Sequence, residues 1–452
     1  MKMPKGARLG LLSLLMGFGH AADTALAQTG ATGASADDTT IDAAAQPPRN
    51  VSGSGAVRYG IDHFLLEAGG FTSSEQADYS LTLRASAFMS WRPDAAWEVR
   101  AGGQVNGVRQ EGGVSDYAQW QALFTDTFVR WRSDDTRLTL GAQTIIWGRV
   151  DAIPLIDRVS RIDLTRFAID DLRERRLADL ALRWEQTSGD YKLDAVVLPL
   201  CRCALLPDVK SVWSPVNQVS GEVIGLAPSA PLAALVRNAS VDDDTGGFGG
   251  GGLRLTRTGG DFDFGVTLAR TRQSAPYYLV DTTVPALNGI HPFNNFAGVD
   301  AEWATDGLTW RTELGYTADV PVTRPSAAMA MTSAVDWVGA VEFFPGGNDT
   351  RINLQLLARS LRTSQSILEL KNYFGLNGAV ESSLAQGRWK AGLQFAIGLN
   401  VSDWYLAPSL SYVGWEPYEL YLAGYYFAGE DQTYGGFFRK QNMLALGIRK
   451  RF

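Results

Sequence analysis

Polarity along this chain alternates with a period of two residues, from about Val57 to the last residue, and that period limits what the chain can fold into. Tyr79, Leu81, Leu83, Ala85, Ala87, Met89 and Trp91 fall on one parity, and Ser80, Thr82, Arg84, Ser86, Phe88, Ser90 and Arg92 on the other. After the turn residues Pro93-Asp94, Trp97, Val99, Ala101, Gly103 and Val105 alternate with Glu98, Arg100, Gly102, Gln104 and Asn106. A period of two is that of a strand with two unlike faces, and a turn between two such runs makes a hairpin. The unit recurs around Leu138–Ala142, Tyr191–Val197, Phe262–Leu268, Leu308–Tyr316 and Trp389–Ile397.

The connections fall into two classes. Pro93-Asp94, Asp134-Asp135, Ser188-Gly189-Asp190, Gly259-Gly260, Asp306-Gly307, Pro345-Gly346-Gly347 and Gln386-Gly387 are short. Longer ones lie near 68–77, 148–176, 199–246, 274–294, 320–333 and 428–438. Tyr79, Trp91, Trp97, Trp184, Trp303, Trp337, Trp389 and Trp404 are read as aromatic ends of the apolar face, where rings favour a membrane–water interface. Short turns at one end and long loops at the other are the layout of a transmembrane barrel. A barrel must close, because an open sheet edge in hydrocarbon leaves backbone groups unpaired. The expected fold is all-β: a closed antiparallel transmembrane β-barrel of about 18 strands, with 16 as the alternative because the count near 366–385 is ambiguous. A soluble β-sandwich or propeller alternates too, with the apolar face inward, and alternation alone does not say which face points where.

The N-terminus reads as an export signal. Lys2, Lys5 and Arg8 precede the apolar run Leu9–Phe18, and Ala25-Leu26-Ala27 is a small-x-small cleavage pattern. Residues 1–27 are therefore expected to be a signal peptide, and 28–54, poor in large apolar side chains, a flexible periplasmic tail. The barrel is expected over 55–452. Net charge is −7, or −9 without residues 1–27, which argues against a nucleic-acid partner. No run of 18 apolar residues is present, so a helical membrane span is excluded.

Leu444, Leu446 and Ile448 alternate with Ala445, Gly447 and Arg449, and the chain stops at Phe452. This resembles the C-terminal signature of Gram-negative outer-membrane β-barrels, although Lys450 departs from it two residues before the end. The resemblance implies outer-membrane localisation, a lipid environment, and recognition of Phe452 by the barrel-assembly machinery. Leu140-Gly-Ala-Gln-Thr-Ile-Ile-Trp-Gly148 also resembles the strand end of proteobacterial export-porin-like barrels, and no substrate follows from it.

With the polar face inward, the candidate pore-lining or constriction residues are Arg84, Arg92, Arg100, Glu98, Asp126, Arg311 and Glu313 on strands. The insertion from Trp147 to Arg176 adds Arg149, Asp151, Asp157, Arg158, Arg166, Asp170, Asp171 and Arg173. Of the 41 basic residues 33 are Arg and 8 Lys, so the wall is rich in multi-donor cations suited to pairing with carboxylates. A structural salt-bridge lattice is the first expectation for any one of them. Arg84, Arg92 and Arg100 are alternatively read as a basic strip favouring an anionic or sugar-acid solute. Asp163 is expected to cap a helix running toward Arg173, and a second short helix is expected at Leu232–Arg237. One long loop, 147–176 or 199–245, is expected to fold into the lumen.

Cys201-Arg202-Cys203 is read as a loop disulfide in preference to a metal site, and no metal site is assigned. Gly246–Gly252 leads into a strand rather than a helix, so it lacks the context of a phosphate cradle. No catalytic constellation stands out, and no nucleotide or redox cofactor is implied. The expected function is an outer-membrane channel passing a small polar or charged solute by passive diffusion or facilitated transport. The alternative is the outer-membrane component of a dedicated export or assembly system, closed without its partner. Oligomeric state is not fixed by the sequence.

Overall fold

The computed structural model describes residues 8–11, 55–114, 116–151, 153–167, 169–281, 284–326, 328–346 and 349–450. Eighteen antiparallel strands close into one barrel. They are β1 (Ala56–Phe71), β2 (Ala77–Arg92), β3 (Trp97–Gly112), β4 (Tyr117–Phe124 and Thr127–Arg132), β5 (Thr136–Gln143), β6 (Asp179–Ser188), β7 (Tyr191–Leu198), β8 (Gly250–Arg257) and β9 (Phe262–Arg272). The second half comprises β10 (Phe293–Thr305), β11 (Leu308–Thr323), β12 (Met329–Phe343), β13 (Thr350–Leu361), β14 (Asn372–Leu384), β15 (Trp389–Gly398), β16 (Asp403–Trp415), β17 (Tyr418–Gly429) and β18 (Met443–Lys450). β4 is one strand broken at Thr125-Asp126, since both of its segments pair with β3. β18 closes on β1 in a register from Phe64↔Lys450 to Phe71↔Met443. The ambiguous stretch near 366–385 resolves into the end of a loop and the single strand β14, which gives 18 rather than 16.

Burial decides which face points where. On β2, Ser80, Thr82, Arg84, Ser86 and Ser90 are buried, while Tyr79, Leu81, Met89 and Trp91 are exposed. The same inversion holds on β11, where Glu313 is buried and Leu314 and Tyr316 are exposed. A soluble sandwich has the opposite arrangement. Exposed apolar side chains running all round the barrel far exceed the patch that water tolerates. In hydrocarbon they cost nothing, and closure pairs every strand edge.

The short turns 93–96, 133–135, 189–190, 258–261, 306–307, 344–349, 385–388 and 416–417 share one end with Ala56 and Lys450. The Asp306-Gly307 turn shows the local chemistry: φ is +44° and +82°, as a two-residue type I′ hairpin requires. The long loops 144–178, 199–249, 273–292 and 430–442 share the opposite end. Of the stretches read as loops, 68–77 is half strand and 320–333 mostly strand, because β1 continues to Phe71, β2 begins at Ala77, β11 continues to Thr323 and β12 begins at Met329.

Exposed Trp91, Trp97, Trp389, Trp415 and Tyr418 lie near the short-turn end, and Tyr79, Trp404 and Tyr426 near the loop end. Trp337 departs from this pattern by sitting in the middle of β12. Its indole Nε1–H donates to Thr312 Oγ1 at 3.1 Å, which removes the cost of an unpaired donor in hydrocarbon.

The long loops share an apolar core. Phe167, Trp213, Tyr434, Phe437 and Phe438 pack on inward-facing Tyr405, Phe427 and Met443, with Phe167 ring centroids 4.7 Å from Tyr434 and 4.8 Å from Phe438. Ser240–Asp243, Tyr277–Asp281 and Ala286–Ile290 form a small sheet, on whose edge Arg8–Leu11 pairs with Tyr278–Asp281. The rest of the leader read at 1–27, the tail at 28–54 and Phe452 lie outside the described residues.

Candidate functional site: the lumen and its inserted loop

Inward charges of opposite sign on nearby strands pair. Near the short-turn end Glu98 receives Arg92 (3.2 Å) and Arg130 (3.6 Å), and Glu185 receives Lys192 (2.9 Å) and Arg137 (3.7 Å). Arg254 meets Asp300 (2.6 Å), and Arg311 lies between Glu302 (3.0 Å) and Glu342 (2.9 Å). Arg351 also reaches Glu342 (2.9 Å), Lys390 meets Glu381 (3.5 Å), and Arg449 meets Glu419 (2.8 Å). The polar period of most strands thus supplies a link of a belt around the lumen. Belt charges that neutralise one another stiffen the wall and leave little net field.

Loop 144–178 crosses the inside of this belt. Its first limb leaves β5 with Trp147 buried against the wall, the indole Nε1–H donating to Asp194 Oδ2 at 2.8 Å. The main chain then turns over Glu313 of β11. Glu313 Oε1 accepts the N–H of Arg149 (2.6 Å) and of Val150 (3.1 Å), and its Oε2 accepts the N–H of Ile156 (3.1 Å). The Arg149 side chain pairs with Asp300 of β10. Asp151 reaches Arg351 (3.1 Å) and Asn353 (2.9 Å) of β13 and lies 3.6 Å from Arg311. Asp157 closes the turn by accepting the N–H of Trp147 and Gly148. Arg158, buried and pushed down to about 10 by that burial, lies over the Phe296 ring at 4.1 Å.

The second limb reaches the other side of the barrel. Arg166 pairs with Glu67 of β1 and with Asp170 (2.8 Å). Asp170 also takes Arg84 of β2 at 2.8 Å, and Asp163 lies 3.5 Å from the same guanidinium. Burial opposes the charge on Asp170, but Arg166 and Arg84 hold its carboxyl below the usual range. Asp171 accepts from Gln394 of β15 (3.2 Å) and lies 3.9 Å from Arg449 of β18. Burial, with the neighbouring Glu174 carboxylate, pushes Asp171 up to about 7. A cavity between this limb and the β13–β18 wall is lined by Glu67, Asp170, Asp171, Glu174, Glu381 and Glu419 against Arg166, Arg351, Lys390 and Arg449.

Most of the candidates named from sequence therefore meet around loop 144–178: Arg84, Arg149, Asp151, Asp157, Arg158, Arg166, Asp170, Asp171, Arg311 and Glu313. The side chain of Arg173 lies outside the description. Arg84, Arg92 and Arg100 do not form a basic strip. Each has its own carboxylate, Asp170 for Arg84, Glu98 for Arg92 and Asp62 (3.1 Å) for Arg100. Asp126 sits at the break in β4, where it accepts the N–H of Thr144 at 2.8 Å and fixes the start of the loop. The helix expected from Asp163 is replaced by a turn whose Thr165 N–H bonds Asp163 Oδ1, and the helix itself is only Leu172–Arg175. The second helix is present at Ala230–Val236 with Ser229 as its N-cap. Cys201 and Cys203 are joined as a disulfide.

Glu67 was not singled out from sequence, although it is the lone charge in Phe64-Leu65-Leu66-Glu67-Ala68. A β-bulge between Ile61 and His63 shifts the inward parity of β1 and hides the pattern there. Arg351 and Gln394 were missed because a single polar residue of correct parity looks the same whether or not a loop docks on it.

The fold resembles solved outer-membrane channels. It matches OccAB1 of Acinetobacter baumannii with a TM-score of 0.52 at 9% identity, over 87% of this chain and 96% of that one. OmpT of Vibrio cholerae in its trimer form gives 0.44 at 9% identity, over 88% and 100%. The outer membrane channel DcaP of Acinetobacter baumannii gives 0.42 at 8% identity, over 88% and 97%. By sequence, no family profile and no curated protein matches this chain. At such low identity the likeness is one of fold alone, that of a closed porin-like β-barrel.

Proposed function

We propose that this chain is an outer-membrane channel that passes small polar or charged solutes by diffusion, with loop 144–178 as its constriction. The observation that carries the reading is Glu313. A fully buried wall carboxylate binds three main-chain N–H groups of the loop, so one limb is tied across a polar lumen. Wall charges of both signs bias permeant ions only through what pairing leaves over. Around the cavity six carboxyl groups face four cations, Arg84 behind Asp170 compensates one more, and Asp171, raised to about 7, adds its negative charge as pH rises through that value. This supports a weak preference for cations rather than the anionic solute that a basic strip would favour.

The test is swelling of liposomes loaded with the folded barrel and challenged with neutral sugars of increasing size. A channel of this kind admits monosaccharides and rejects larger oligosaccharides, and shortening 150–155 raises the cut-off. A second reading has support of its own. The aromatic core of Phe167, Trp213, Tyr434 and Phe438 packs on the inner wall at β16–β18 and covers part of the mouth, as a barrel that opens only with a partner would require. In that case swelling is absent for every sugar until the loops are shortened.

A further inference from the structure

Beside loop 144–178, at the loop end of the barrel, loops 199–249 and 273–292 bury a cluster that the proposed permeation does not use. Cys201, Cys203 and His291 are all buried, and each offers a donor atom within 4.8 Å of the others. A disulfide that staples a fold gains from closing a long stretch of chain. This one joins residues two apart and closes almost nothing, so stapling is a poor account of its place.

The surroundings suit a metal. His291 has one ring nitrogen, Nδ1, at 2.7 Å from Gln273 O, and the other, Nε2, at 2.8 Å from Asp243 Oδ1. Both ring nitrogens are thus engaged in the oxidised state, so a metal must displace one of these contacts, and the contact that remains would hold the ring as carbonyl and carboxylate partners hold ligating histidines. Arg202, between the two cysteines, is 2% exposed and donates to Ser160 O at 2.9 Å. Among the described residues it has no ion pair within 4 Å, and its Nε lacks a partner. Arg161 Nε donates to Cys203 O at 3.0 Å from the other side. Two thiolates and one monovalent metal ion carry a net −1, which complements the buried Arg202 guanidinium. Sulfur ligands of this kind select soft ions such as Cu(I).

We propose that Cys201, Cys203 and His291 form a Cu(I) site, two thiolates and one imidazole, which opens when the disulfide is reduced and is abolished when it forms. A thiol or phosphine reductant delivers two electrons to the S–S bond, and two protons complete the thiols. Cu(I) then binds both sulfurs and displaces two protons. One ring nitrogen of His291 gives up its present contact to bind the metal, and the other keeps its own. Occupancy ties loop 199–249 to loop 273–292 at the mouth of the barrel.

The experiment titrates the folded barrel in detergent with Cu(I) anaerobically, against the chromophoric chelator bicinchoninate, after phosphine reduction. Folding of each variant is checked by its heat-modifiable electrophoretic mobility. One Cu(I) per chain is expected in the reduced protein and none in the oxidised one. Substituting both cysteines by serine abolishes binding. His291→Ala weakens it at least tenfold while two thiols remain titratable. Binding by the double serine variant equal to the reduced parent overturns the site, as does His291→Ala with parental affinity. Should a variant misfold, X-ray absorption at the copper edge of the reduced parent decides: two sulfurs and one nitrogen are expected, and a sulfur-only shell contradicts the assignment.

Discussion

Glu313 accepts the main-chain N–H of Arg149 at 2.6 Å across the lumen, joining the middle of β11 to a loop that leaves the barrel at β5. Val150 and Ile156 share the same carboxylate, so the side chain acts as a saddle for the turn. Replacing Glu313 with Ala leaves three N–H groups without their acceptor. The 149–156 limb is expected to detach, and single-channel conductance to rise about twofold or more, while the barrel stays folded because its ladder is untouched. Bilayer recording checks this, and an unchanged conductance places the narrowest point elsewhere. Loss of a hydrogen bond to a charged group costs on the order of 1.5–3 kcal/mol.

The outward face carries a separate expectation. Leu314 is exposed on β11, with exposed Val299 and Trp337 as its cross-strand neighbours. If this belt faces hydrocarbon, Leu314→Arg costs about 2–4 kcal/mol near the bilayer midplane. Urea unfolding in lipid vesicles reads the change. On a water-facing surface the same substitution is nearly silent.

How much of this was legible in the sequence follows from what a period of two encodes. It gives two faces and their ends, so the strand unit, the short turns at Pro93-Asp94 and Asp306-Gly307 and the asymmetry of loops were readable. It does not give the sign of the faces, which only burial of Arg84 and exposure of Leu81 resolves. Nor does it give pairing between strands distant in sequence. Arg84, Arg92 and Arg100 share one face, but Asp170 reaches Arg84 from the inserted loop and Asp62 reaches Arg100 from β1, and neither partner follows from the period. Loop 144–178 was recognisable as charged and long, but its docking on Glu313, Glu67 and Arg351 depends on closure of the whole barrel.

Asp171 makes the lumen sensitive to pH. Burial raises its carboxyl to about 7, above its unfolded value. The stabilisation that goes with the neutral form is therefore complete below the unfolded value and lost as pH rises through about 7. Above that, an added negative charge faces the cavity. Cation preference, measured as a reversal potential in a salt gradient, is expected to grow between about pH 6 and 8. Asp171→Asn is expected to flatten that step, and persistence of the step in this variant assigns it to another group.

Packing of the first limb is tested at Gly252. A Cβ there would stand 2.9 Å from the Trp147 ring atoms Cη2 and Cζ3, so the indole must move from its bond to Asp194. Gly252→Ala is expected to cost about 1–3 kcal/mol, the range for overpacking a filled site. Thermal unfolding followed by heat-modifiable mobility checks it, with Gly70→Ala as a control at a strand position that has open space around it and no positive φ.

The central claim is that a polar lumen narrowed by loop 144–178 conducts without help. The most direct measurement is single-channel conductance of the folded barrel in a planar bilayer, with a reversal potential taken in a salt gradient. The account expects steady ohmic steps with a weak preference for cations. A folded barrel that stays closed, or a strong preference for anions, would contradict it.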